Sequence, residues 1–136
     1  MKQIRLAGTW TANLSKSQRD PNHQFQSLTL HFEISKEAVL LNFTGVDKAG
    51  KQVSSARTLH PDGQEYPVAD ASGVVEIARW VGTDTLETMF KHEGNVISEG
   101  TYEVSSDGKT LTSKGKGLDA SGAQYEQVIV FDRDLN

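Results

Sequence analysis

The run Ser27-Leu28-Thr29-Leu30-His31-Phe32-Glu33-Ile34, closely followed by Val39-Leu40-Leu41-Asn42-Phe43, decides the fold class. Apolar side chains recur at every second position: Leu28, Leu30, Phe32 and Ile34 in the first run, Val39, Leu41 and Phe43 in the second. An extended chain sends successive side chains to opposite faces, so this period builds one apolar face and leaves Ser27, Thr29, His31 and Glu33 on the other. Leu86, Thr88 and Phe90 repeat the pattern. No window carries the apolar i, i+3, i+4, i+7 stripe of an amphipathic helix over three turns. The chain reads as all-β.

Working outward, turn residues punctuate these runs at regular intervals. Asp47-Lys48-Ala49-Gly50, Asp62-Gly63, Ser72-Gly73, Gly82-Thr83-Asp84, Gly94-Asn95, Asp107-Gly108 and Asp119-Ala120-Ser121-Gly122 each separate two strand-like segments. Asp bonds its own backbone two residues on, and Gly accepts the positive φ of tight hairpins. The reading places strands at 6–14, 26–35, 38–46, 51–60, 65–68, 73–81, 85–93, 95–105, 109–117 and 124–133. Short connections after residue 25 predict antiparallel pairing of neighbours as an up-and-down meander. The stretch Ser15 to Gln24, SKSQRDPNHQ, reads as a loop or a short helical turn.

With 136 residues the chain is sized for a single domain, 1–136, that buries a core without metal or disulfide support. Cysteine is absent, which excludes a disulfide scaffold, a Cys-zinc site and a cysteine nucleophile. A formal charge of −4, with no basic stripe interleaved with aromatics, argues against a nucleic-acid partner. No apolar run approaches a membrane-spanning length, and the start, MKQIRLAGTWTANLS, lacks a long apolar segment. The expectation is therefore a cytoplasmic protein with no membrane insertion.

About eight to ten short antiparallel strands must either close into a barrel or split into a sandwich, because exposed edges invite aggregation. Tight hairpins favour the barrel. So do the strand-like segments at the two ends, LAGTWTANL and YEQVIVFDRD, which can pair and close the ring.

Gly8-Thr9-Trp10 at the start of the first strand, followed by a ring of hairpins, resembles the calycins, the lipocalins and fatty-acid-binding proteins. Together with Asn13-Leu14-Ser15-Lys16-Ser17, Pro61 to Val68 and Ser106 to Thr112, it is similar to small bacterial lipocalin-like proteins. The resemblance spans most of the chain and implies a lipocalin-like barrel. It also implies that Trp10 packs across the closed end against a basic residue of the last strand, for which Arg133 is the matching position. One departure is informative. The last-strand Arg-x-Tyr that holds a carboxylate in fatty-acid-binding proteins is replaced around Gln127-Val128-Ile129.

The alternation also predicts an inner surface. With Leu41 and Phe43 inward, the same face carries Arg57 on the next strand, Ile77 and Arg79 further on, then Phe90 and Tyr102. These seven residues are the expected ligand site. Arg79, with Arg57 and Tyr102, would anchor a polar or acidic end, while Leu41, Phe43, Ile77 and Phe90 grip an apolar part. The opposite register, with Val74, Ala78 and Trp80 inside and Arg79 in water, is the alternative.

The four histidines are dispersed without metal-ligand spacing, no Gly-x-Ser-x-Gly elbow occurs, and Lys114-Gly115-Lys116-Gly117 reads as a solvated strand rather than a phosphate loop. The reading thus assigns no metal and no cofactor. It points to binding of a small hydrophobic or amphipathic molecule inside a barrel. The alternative is a cofactor-independent isomerase, cyclase or lyase that uses interior polar groups.

Overall fold

The computed structural model describes residues 6–18, 25–35, 38–68, 72–82, 84–118 and 122–134. Ten strands follow one another: β1 (Gly8–Gln18), β2 (Phe25–Ile34), β3 (Val39–Asp47), β4 (Gln52–Leu59), β5 (Asp62–Pro67), β6 (Val74–Val81), β7 (Thr85–His92), β8 (Asn95–Val104), β9 (Thr110–Leu118) and β10 (Gln124–Arg133). Every ladder is antiparallel, in the order β4-β3-β2-β1-β10-β9-β8-β7-β6-β5. The expected meander and pairing of the two chain ends are both present: Trp10 stands opposite Arg133 and Asn13 opposite Val130.

β4 and β5 lie at opposite ends of this order, joined only through His60 and Pro61. Laid flat, β4 and β7 would sit about 34 Å apart, at roughly 4.8 Å per strand. Instead, the Arg57 guanidinium of β4 lies 5.3 Å from the Phe90 ring of β7 and donates to Glu76 of β6 at 2.8 Å. Phe32 of β2 meets Tyr102 of β8 edge to face, with centroids 5.4 Å apart. Such contacts require the sheet to roll into a tube. Among the described residues the ten strands form a barrel.

One end of the tube is solid. Trp10, Leu30, Phe32, Leu86, Val104, Leu111 and Phe131 are buried there as one cluster. The Arg133 guanidinium covers the Trp10 ring at 4.0 Å and donates to the carbonyls of Gly108 and Ala7 at 2.7 and 2.8 Å. Gly8 has φ 123°, and a Cβ there would lie 2.8 Å from Arg133 Nη1. The Gly-Thr-Trp motif is thus explained: the glycine clears the space that the cation needs to cap the indole.

Inner-face burial declines along the strands away from this plug. Leu86 is buried, Thr88 nearly so and Phe90 only partly; Leu111 is buried while Ser113, Gly115 and Gly117 are partly accessible. Side chains that point into the tube yet keep accessible surface indicate a hollow half.

Most turns follow from sequence. Asp47 Oδ1 accepts from the Ala49 and Lys51 amides at 2.9 Å each, and Gly50 supplies φ 89°. Asp47→Ala therefore forfeits two hydrogen bonds, and about 1–2 kcal/mol should be missing from its chemical denaturation curve. Two expectations are corrected. Asp62-Gly63 forms no turn between strands: it opens β5, with a register shift before Glu65, because His60 and Pro61 make the corner. Ser15 to Gln18 continues β1, with Ser17 Oγ accepting from the Val130 amide at 2.9 Å; the rest of the expected loop lies outside the described residues.

Candidate functional site

The hollow half is lined by side chains that the ladders bring to one face. Leu41 stands opposite Phe32 and Arg57, and Phe43 opposite Leu30 and Ser55. Glu76 pairs with Phe90, Phe90 with Ser98, and Leu86 with Tyr102. Five of the seven expected ligand residues, Leu41, Phe43, Arg57, Phe90 and Tyr102, therefore share the inner wall.

Their centre is an ion pair. Arg57 Nη1 donates to Glu76 Oε2 at 2.8 Å, with side-chain exposures of 35% and 15%. Burial holds the Glu76 carboxyl above its ordinary value, partly offset by the Arg57 charge. Burial likewise raises the Tyr102 phenol, again against the pull of Arg57. A charged pair on an aromatic wall, with a phenol beside it, can orient a polar group while the rings hold an apolar body.

A second polar feature lies one register row nearer the plug. Thr88, Gly100, Gly115 and Gln127 align across four strands. The Gln127 Oε1 atom is buried with no hydrogen-bond partner. A Cβ built on Gly115, the partner of Gln127 across the ladder, would meet nothing within 4 Å. Where β4 turns into β5, His60 stacks on Tyr66 with centroids 4.4 Å apart, and the Tyr66 hydroxyl donates to Asp62. That bond lowers the Asp62 carboxyl and raises the Tyr66 phenol.

Ile77 and Arg79 require correction. On β6 the inner face carries Glu76, Ala78 and Trp80, so Ile77 and Arg79 point outward. Arg79 is 65% exposed and pairs with Glu87 at 2.8 Å on the outer wall. Neither joins the interior cluster. They flank a cross-strand depression of about 890 Å³ on the outside, together with Met89 and Lys116. The expected partnership of Arg79 with Arg57 therefore does not form. Arg79→Ala should change stability by no more than about 0.5 kcal/mol in thermal unfolding, as expected for an exposed pair.

Glu76 escaped the sequence reading. It lies in Val74-Val75-Glu76-Ile77-Ala78-Arg79-Trp80-Val81, which is apolar on both faces, and its partner is on another strand. Among the described residues no group of three or more His, Asp or Glu is placed to hold a metal ion.

No family profile and no curated protein matches the sequence. Solved structures do match its fold. The wild-type fluorescent protein UnaG aligns with a TM-score of 0.64 at 16% identity, over 96% of this chain and 98% of that one. Zebrafish ileal bile-acid-binding protein complexed with cholic acid aligns at 0.59 and 12% identity, over 96% and 99%. Rv2717c from M. tuberculosis aligns at 0.60 and 18%, over 96% and 93%. The likeness reaches an animal protein and a mycobacterial one alike, so it carries the barrel and not a bacterial subgroup.

Proposed function

We propose, from the premise that the chain is a calycin-like β-barrel, that it binds a small hydrophobic or amphipathic molecule in the hollow half of the tube. The carrying observation is the Arg57–Glu76 pair set against Phe90, beside Tyr102 on the inner wall. Partly buried charge is costly, and a packed structural core would serve better with apolar side chains of the same volume. The zebrafish neighbour, which holds cholic acid, supports the same use of the fold.

Nile red, an uncharged dye whose emission shifts to the blue in apolar surroundings, tests the reading. Saturable one-to-one binding is expected. Gly115→Leu should fill the hollow, since nothing lies within 4 Å of a Cβ there, and weaken the dye by about tenfold while cooperative unfolding is retained. Unchanged dye affinity in that variant would place the dye elsewhere and defeat the proposal.

A second reading draws on the raised Glu76 carboxyl and Tyr102 phenol, two groups suited to exchanging a proton with a bound substrate. As an isomerase, cyclase or lyase, the protein would convert its ligand. Recovery of the bound compound unaltered after prolonged incubation would reject that reading.

A further inference from the structure

The hollow is not built like a trap for acids. Among the described residues Arg57 is the inner-wall guanidinium that could receive a carboxylate, and Glu76 already occupies it at 2.8 Å, with His60 adding a smaller positive influence on the same carboxyl. The other ion pairs of the described residues, Arg79–Glu87, Lys91–Glu65 and Lys116–Glu99, belong to the outer alternation of their strands. An incoming carboxylate would either displace Glu76, leaving that half-buried carboxylate without a counter-charge, or settle beside it as a like charge. Both outcomes cost free energy in a poorly solvated space.

The Gln127 carbonyl makes the opposite demand. Its buried Oε1 has no partner, and it belongs to the same cross-strand row as Gly115, where a Cβ would meet nothing within 4 Å. A buried acceptor left unpaired is destabilising, and a ligand O–H or N–H would satisfy it. Resting on the interior-binding reading above, we infer that the barrel selects uncharged amphipathic molecules carrying a hydrogen-bond donor, such as alcohols or amides, and rejects their carboxylate counterparts. Glu76 is the specificity-determining residue and Gln127 the donor-reading one.

Displacement of Nile red by 1-decanol and by decanoate, at pH 7.5 and below micelle formation, separates the two levels of the argument. In the wild type, decanol should displace the dye at about tenfold lower concentration than decanoate. Glu76→Gln, which removes the counter-charge from the Arg57 guanidinium, should reverse the order by a similar factor. Gln127→Leu should weaken decanol several-fold and leave decanoate unchanged, and this variant decides the matter if Glu76→Gln fails to fold. Decanoate displacing the dye as well as or better than decanol in the wild type would overturn the inference while interior binding stands, and so would failure of both compounds to displace bound dye. Absence of any Nile red binding would remove the interior-binding reading and this inference with it.

Discussion

Trp10→Ala should lower the unfolding free energy by about 3–5 kcal/mol, the cost of truncating a large aromatic that cannot be refilled. Against a net stability of roughly 5–15 kcal/mol for a domain, that is a large share. Trp10 is 0% exposed and sits at the centre of the plug, and its Nε1 donates to the Leu6 carbonyl at 3.0 Å. Removing the indole opens a void among Leu30, Phe32 and Phe131 and uncovers the Arg133 guanidinium, which gains up to about 2 kcal/mol from the ring face. The thermal midpoint should fall by roughly 10–15 °C for a chain of this size. Trp10→Phe keeps a ring beneath the cation and loses the hydrogen bond and part of the volume, so it should recover more than half of the deficit. A midpoint for Trp10→Ala within two or three degrees of wild type, on that same scale, would mean that the plug does not depend on this residue.

Arg57→Leu should cost about 1.5–3 kcal/mol at neutral pH, less than for a fully buried pair because the guanidinium is 35% exposed and partly screened by water. The loss comes from the group left behind. Without its cation, the Glu76 carboxyl should titrate still further above its ordinary 4.5. A carboxyl whose folded pKa lies above its unfolded value binds more protons when folded. Its contribution to stability is therefore highest below the unfolded value and declines as pH rises through the folded one. The deficit of Arg57→Leu should accordingly be greatest near pH 7–8 and shrink as pH falls below the ordinary carboxyl value of 4.5, since the folded Glu76 carboxyl lies above that value in both variants. Denaturant titrations at both pH values read this directly. A deficit independent of pH would assign the effect to lost packing on Phe90 and not to charge.

How much of this was legible beforehand depends on which physical signal each element carries. Strand placement was readable because Asp and Gly mark the hairpins and because Leu28 to Ile34 and Val39 to Phe43 alternate cleanly. The same alternation put Arg57, Phe90 and Tyr102 on the correct face. It failed on β6, where Val75 and Ile77 on the outer wall are as apolar as Val74 and Ala78 on the inner one. There the register is settled by Glu76 finding Arg57 across the tube and by Trp80 packing against the plug. Both are contacts between residues distant in sequence, and a period of two cannot report them. The corner at His60 and Pro61 was missed because Asp62-Gly63 offers a stronger local turn signal than the pair that makes the bend.

The missing ladder between β4 and β5 has a consequence for how the chain could be rewired. His60 and Pro61 are the sole covalent link across that seam, while β1 and β10 are zipped together, with the Asp134 amide donating to the Thr9 carbonyl at 2.9 Å. Joining the present termini and opening the chain at the seam would give a circular permutant that starts at β5 and ends at β4. No backbone ladder would be cut, and every strand would follow its spatial neighbour from one end of the sheet to the other. The long-range closure of β1 on β10 would become a local hairpin. Average contact separation would fall, and such a permutant should fold faster than the natural order of the same strands.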